Sequence, residues 1–389
     1  MRSPVRQGIA AALPAGAHQK HRRTLGHKKP TTRKHAQSTT GLTLLAAGLP
    51  ACLAGCAQAN TRETGTDAGA AAEAGNASDA LAAEGAPVVE EEPARLAAFF
   101  FDTVVRIEAH CPQSVLDEAE HRLQRFEDLF SRTKTGSDVY AINHADGMPV
   151  RVQPETADLV AKALRCSELS GGLFDLTIGA VSELWDFKGQ TVPDPAALEQ
   201  ALAHVDWRTV GLDGDVVTMT DPEARIDLGG IAKGYIADDI ATHLRSHGCE
   251  SALVNLGGNT FALGTKPDGS AWSVGLQDPN QPRGTLLGST LAANTSIVAS
   301  GINERSFVRE GRTYHHLLDP ATGMPAENGM ASVTIKSESS LEGDAFSTIA
   351  FLLGARNGRA FAEAQGVQAL FVATDGNVTK TDGWEVKWA

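Results

Sequence analysis

Strand-like runs in this chain come in groups, and long helical runs stand singly between the groups. "SVLDEAEHRLQRFEDLF" puts Leu116, Ala119, Leu123, Phe126 and Phe130 on one helical face. "ETADLVAKALRCSELS", "DPAALEQALAHV" and "IAKGYIADDIATHLRSHG" read as further helices. "FFFDTVVRIEA", residues 99–109, reads as a buried strand. "TVGLDG", "DVVTMT" and "ARIDL" form one later strand group, and "SALVNLGG", "TFALG", "WSVGLQ", "SIVASG" and "ASVTIKS" form another. "EGDAFSTIAFLLG" and "NGRAFAEAQG" are helical, and "VQALFVA" with "NVTKT" closes as a strand pair. Strict βα alternation is excluded, so the expected class is α+β, mixed sheets with packed helices.

That pattern occupies residues 98–389 of the 389. Residues 1–55 hold nine Lys/Arg and no Asp or Glu. Their uncharged run "GLTLLAAGLPACLAG" has 15 residues, short of the roughly 20 that a spanning helix needs. Its length suits the apolar part of a signal peptide. It ends in "LAGC", which resembles the lipobox of bacterial lipoproteins and would make Cys56 the lipidated first residue. Simple cleavage after a small residue is the alternative reading, and Arg22-Arg23 leave twin-arginine export open beside the general route. The expectation is a signal peptide with lipobox over 1–56 and an exported membrane lipoprotein on the extracytoplasmic face. Residues 57–97 are rich in Ala, Glu, Asp and Gly, with Arg62 and Arg95 as their only basic residues. Such a composition cannot bury a core and reads as a disordered acidic tether.

The formal net charge is −13, and beyond residue 55 the balance is 25 Lys+Arg against 47 Asp+Glu. A body that acidic excludes nucleic acid as the expected partner. A phosphate-bearing substrate would need a divalent cation beside it. Cys111, Cys166 and Cys249 remain once the leader is set aside, an odd number with no CxxC, so neither a zinc site nor a disulfide framework is expected.

Five short stretches carry candidate chemistry. "RIDLGGIAKGYIAD" (225–238) joins a carboxylate, Asp227, to two glycines and a helix start, with Lys233 one turn inside. Glycines there serve either close packing or the approach of an anion to free N–H groups. "GGLFDLTIG" places Asp175 either to cap a helix or to receive donors from a ligand. Gly257-Gly258-Asn259 is a hairpin signal. In "YHHLLDPATGMP" (314–325), His315 and His316 are adjacent, so on a strand they face opposite ways and cannot share one metal. The following Asp319-Pro320-Ala321-Thr322-Gly323 is turn chemistry in itself. Asp344 and Thr348 stand at i,i+4, a hard-oxygen pair suited to Mg²⁺ or simply a helix cap and an unrelated threonine.

In their order, "FDTVVRI", "GGLFDLTIG", "DLGGIAKGYIAD", "LVNLGGN", "ASGINERSF", "YHHLLDPATGMP" and "DAFSTIAFLLG" resemble the ApbE family of bacterial FAD:protein FMN transferases, over about residues 99–389. The resemblance implies a T-fold-like single catalytic body. It implies Mg²⁺-dependent transfer of FMN from FAD to a threonine hydroxyl of an acceptor protein, with release of AMP. The acceptor would be a redox subunit or flavoprotein at the membrane surface. Carried over by position, Asp344 and Thr348 match the Mg²⁺ ligands, with the Gly230 carbonyl adding a third. Leu173, Phe174, Asp175, Asp227, Lys233 and Leu317 match flavin-pocket positions. His316 matches a candidate for orienting or deprotonating the incoming hydroxyl. Three stretches depart from the family pattern: Phe101-Asp102-Thr103 stands where members often have Met-Gly-Thr, with Phe101 at a flavin-binding position, Thr133 replaces a frequent aromatic residue, and Ser347 stands where some relatives add a second carboxylate. Two other activities fit the same motifs: a Mg²⁺-dependent FAD pyrophosphatase, and a flavin-binding lipoprotein without catalysis.

Overall fold

The computed structural model describes residues 92–389. Its centre is an eight-stranded sheet: β1 (Ala94–Phe100), β2 (Thr103–Ala109), β3 (Ala252–Leu256), β4 (Asn259–Leu263), β5 (Thr295–Gly301), β6 (Met330–Ser337), β7 (Gln368–Ala373) and β8 (Val378–Lys380). Spatial order follows chain order, and every neighbouring pair is antiparallel. Three of the connections carry the helices and loops around the site, and the link from β4 to β5 carries two strands of a second sheet. The link from β2 to β3 contains α1 (Gln113–Phe130), α2 (Pro154–Leu169) and α3 (Ala232–Ser246), and the link from β6 to β7 contains α4 (Ser340–Gln365). The link from β5 to β6 contains a hairpin, Ser306–Arg309 with Arg312–His315, and the turn at residues 319–323.

α1, α3 and α4 lie against one face of the sheet. A small sheet of Trp272–Gln277, Leu286–Ala292 and Lys387–Trp388 lies against the other, around Trp272, Leu276, Ile297 and Trp384. β4 is therefore buried along its whole length, and β5 is covered on both sides except at Ala299. Alternation along β5 turns Ser296, Val298 and Ser300 toward α4 and Ile297 toward the small sheet. The five residues assigned to one face of α1 are all buried.

Three strand or boundary expectations change. Residues 99–109 are not one strand: Phe101 and Asp102 both have positive φ, and the chain folds into the β1–β2 hairpin. The sheet starts at Ala94, inside the stretch assigned to the tether, because Leu96 can bury against the core from β1. "ARIDL" is not a strand. Asn143 takes the place of a neighbouring strand: its amide accepts from Ile226 N at 2.7 Å and donates to Ile226 O at 3.0 Å. Next to it, Asp227 N donates to Leu176 O at 2.8 Å. A helix signal separated by a glycine is kept: α4 is broken at Gly354 (φ 72°), and Asn328 donates to the Phe351 carbonyl that the break frees.

Candidate functional site

The site forms where the N-termini of α3 and α4 meet. Gly234, the third residue of α3, is pressed against α4, and a Cβ there would stand 2.3 Å from the Ser340 carbonyl oxygen. At this separation each helix caps the other. Gly234 N donates to Asp344 Oδ2 at 3.0 Å, so a carboxylate from α4 satisfies a free N–H of α3. In return Asp238 of α3 accepts from Ser340 N at 2.7 Å, Leu341 N at 3.0 Å and the Ser339 hydroxyl at 2.7 Å. Burial raises the Asp238 carboxyl above its ordinary range, and these three donors offset only part of that.

Asp344 is 4% exposed. Its Oδ1 faces Lys233 Nζ at 3.4 Å, a loose contact by the standard of a 2.9 Å bond, and the ammonium also donates to Gly229 O at 3.2 Å. One turn on, Thr348 Oγ1 lies 3.2 Å from Ser300 Oγ of β5, which bonds Ser347 Oγ at 2.8 Å. A Cβ on Gly230 would meet the Phe174 ring at 3.1 Å and Thr348 Oγ1 at 3.9 Å, so the glycine backbone, the aromatic ring and the hydroxyl adjoin. A carboxylate oxygen without a tight partner, a hydroxyl and the nearby Gly230 backbone form a hard-oxygen set that fits Mg²⁺. Ser347 is fully buried and bonded to Ser300, so its hydroxyl is already used.

On the other side of Gly230, Asp227 accepts from Gly229 N at 2.9 Å and from the Ser182 hydroxyl at 2.9 Å, and pairs with Arg132 at 3.2 Å. Burial pushes this carboxyl up, but Arg132, these hydrogen bonds and the charge of Arg305 outweigh it and hold it below the ordinary value. Arg305 and Lys233 also act on His316. Burial first, then Arg305 and Lys233, push the His316 imidazole down to about 3, and its Nδ1 has no partner. Its neighbour His315 goes the other way, 5% exposed and edge-on to the Phe351 ring. The turn after them is anchored from below. Asp319 accepts from Ala321 N and Gly323 N, Trp185 Nε1 donates to Gly323 O at 3.0 Å, and Gly323 (φ 67°) has no room for a Cβ beside Leu198.

The structure thus gathers Phe174, Asp227, Gly230, Lys233, His316, Asp344 and Thr348. The four other predicted positions are placed as follows. Asp175 is 8% exposed and accepts from Thr177 N, the Thr177 hydroxyl and Trp207 N, and burial leaves its carboxyl raised. Leu317 packs into the main core. Leu173 is half-buried beside Phe174. Phe101 sits in the β1–β2 turn, its N–H held by Glu127 at 2.8 Å. Arg132, Ser182, Asp238, Ser300 and Arg305 escaped sequence reasoning. The legible sign for Arg132 was an arginine set directly behind the apolar face of α1.

A cavity of about 160 Å³ lies on the opposite face of the sheet, lined by Thr260, Leu276, Ile297 and Thr334. It is smaller than the roughly 300 Å³ at which ligand pockets begin.

The fold is a mixed α+β body with a glycine-edged oxygen site at paired helix N-termini, a setting suited to an anion. The chain belongs to the ApbE family, whose model matches residues 101–371. It is 38% identical to a FAD:protein FMN transferase of Klebsiella pneumoniae, over 66% of this chain and 81% of that relative. It is also 38% identical to one from Treponema pallidum, over 69% and 80% respectively. Among solved structures, the ApbE protein of Thermotoga maritima superposes with a TM-score of 0.70 at 32% identity, covering 75% of this chain and 97% of that one. The flavin transferase ApbE of Vibrio cholerae gives 0.67 at 27% identity, covering 75% and 96%.

Proposed function

We propose that this chain carries out the flavin transfer for which its relatives are named: it binds FAD and moves FMN to a threonine hydroxyl of an acceptor protein. The hydroxyl oxygen bonds to the FMN-side phosphorus, the bridging P–O bond breaks, AMP leaves with the bridging oxygen, and the hydroxyl proton is released. The observation that carries this reading is the meeting of Lys233, Asp344, Thr348 and the Gly229-Gly230 backbone at one point. Phosphoryl transfer needs positioning and charge stabilisation, and little else from the protein. The glycines leave a diphosphate free to approach the backbone. Lys233 and Arg305 supply positive charge. Mg²⁺, held by Asp344, Thr348 and the Gly230 carbonyl, would neutralise diphosphate charge in a body that is otherwise acidic. His316 is held uncharged, by burial first and then by Arg305 and Lys233, and takes the role of orienting the incoming hydroxyl. Anionic phosphates beside Arg305 and Lys233 would offset the charge part of its depression, while the larger part, burial, would stay.

Co-expression with candidate acceptor domains tests this by intact mass. A gain of one FMN on the acceptor, lost when a chelator removes divalent ions, is expected. AMP release with no mass gain on any acceptor would instead favour the hydrolase. The anchor at Cys56 and export by the 1–56 leader are part of the same proposal. Cys56→Ser should move the protein from the membrane fraction to the soluble one, and unchanged fractionation would remove the anchor from the account.

A further inference from the structure

The far end of α3 carries a second cluster with no part in the site above. Among the described residues, Glu118, His243 and His247 each offer one ligand atom, and the three lie within 4.8 Å of one another. The two histidines are one turn apart on α3, with ring centroids 4.4 Å apart, and Glu118 comes from α1. From Gly234 to His243 is nine residues of helix, roughly 14 Å at 1.5 Å per residue.

The hydrogen bonds fix which nitrogens are free. His247 Nδ1 lies 2.9 Å from the His243 carbonyl oxygen, which can only accept, so Nδ1 carries the proton and Nε2 the lone pair. Ser246 spends its hydroxyl proton on the same carbonyl at 2.8 Å. His243 Nε2 lies 3.0 Å from the Val115 carbonyl oxygen, so its Nδ1 keeps the lone pair. Each ring is oriented by a backbone carbonyl on one of its nitrogens, the arrangement that metal-ligating histidines use. His247 Nε2 then directs its lone pair at Glu118 Oε2, 3.4 Å away. A second proton on the ring or a metal ion between the two atoms would each satisfy this contact. That separation matches two ligands of one tetrahedral ion with bonds of about 2.0–2.1 Å. The cluster also sits at the C-terminus of α3, where the helix dipole favours positive charge.

We propose that Glu118, His243 and His247 form a site for a divalent transition-metal ion of the Zn²⁺ class, tying α1 to α3 and leaving one position for water. Two imidazoles select against Mg²⁺, which takes oxygen ligands, so the two ends of α3 discriminate between cations.

Cobalt(II) is the probe, added to the full chain in the presence of excess Mg²⁺. The wild type is expected to develop visible bands of four-coordinate cobalt, without a thiolate charge-transfer band. The leader contains its own histidines, so variants and not stoichiometry discriminate. Glu118→Gln and His247→Gln replace exposed side chains and leave the fold in place. Each should weaken the cobalt signal and Zn²⁺ affinity by calorimetry at least tenfold. A wild type without these bands would overturn the site, as a plain ion pair only. So would bands that persist in both variants, which would place the ion elsewhere.

Discussion

At the residue scale, the site is built from groups that hold the fold and face the substrate at once. Asp344 caps α3 and also offers an oxygen to the proposed metal. Asp344→Ala should therefore abolish metal-dependent AMP release from FAD and cost about 1–2 kcal/mol of stability in urea unfolding. A variant that keeps turnover would remove Asp344 from the mechanism. Asp102 has φ 58° in a two-residue hairpin turn, a conformation that glycine adopts freely. Asp102→Gly should stabilise the fold by about 1 kcal/mol, and a lowered melting temperature would contradict that. His316 gives a pH signature. Its imidazole is pushed from 6.5 to about 3 by burial and two cations. Between those values the unfolded chain binds the extra proton, so stability falls as pH drops through that window. Melting temperature should thus fall more steeply from pH 7 to 5 in the wild type than in His316→Gln; parallel slopes would refute the shift. The residue types of the site were readable because short motifs quote them. Asp238, Ser300 and Arg305 were not, because their roles exist only once two helices and a strand converge.

At the element scale, the close approach of α3 to α4 decides the geometry. Gly234→Ala would force a methyl group against the Ser340 carbonyl. The expected cost is about 1–3 kcal/mol, with loss of FAD turnover because Asp344 moves away from Lys233. Equal stability and activity in that variant would show that the helix contact is not needed. Periodicity made α1 legible, and glycine punctuation made the β3–β4 hairpin and the break in α4 legible. The β1–β2 turn was hidden because Phe-Asp is not a turn signal. "ARIDL" misled because a buried run partnered by the Asn143 side chain has the composition of a strand. The 306–315 hairpin, closed by Glu310 (φ 53°) and Gly311 (φ 77°), ends at His315 just before His316, and was masked by their more prominent chemistry.

At the scale of the whole molecule, eight sequential antiparallel strands give one broad platform, and long insertions build the site on one face. The helix-covered face brings residues from 130 to 350 to one place. The acidic body explains why a diphosphate would bind only where Lys233, Arg132 and Arg305 gather and a divalent ion can join them. The most direct measurement is a crystal structure of the protein soaked with FAD and Mg²⁺. The diphosphate is expected over Gly229-Gly230, with Asp344 and Thr348 on the metal and Lys233 within hydrogen-bonding distance of a phosphate oxygen. A dinucleotide bound with its diphosphate away from the N-termini of α3 and α4 would contradict it.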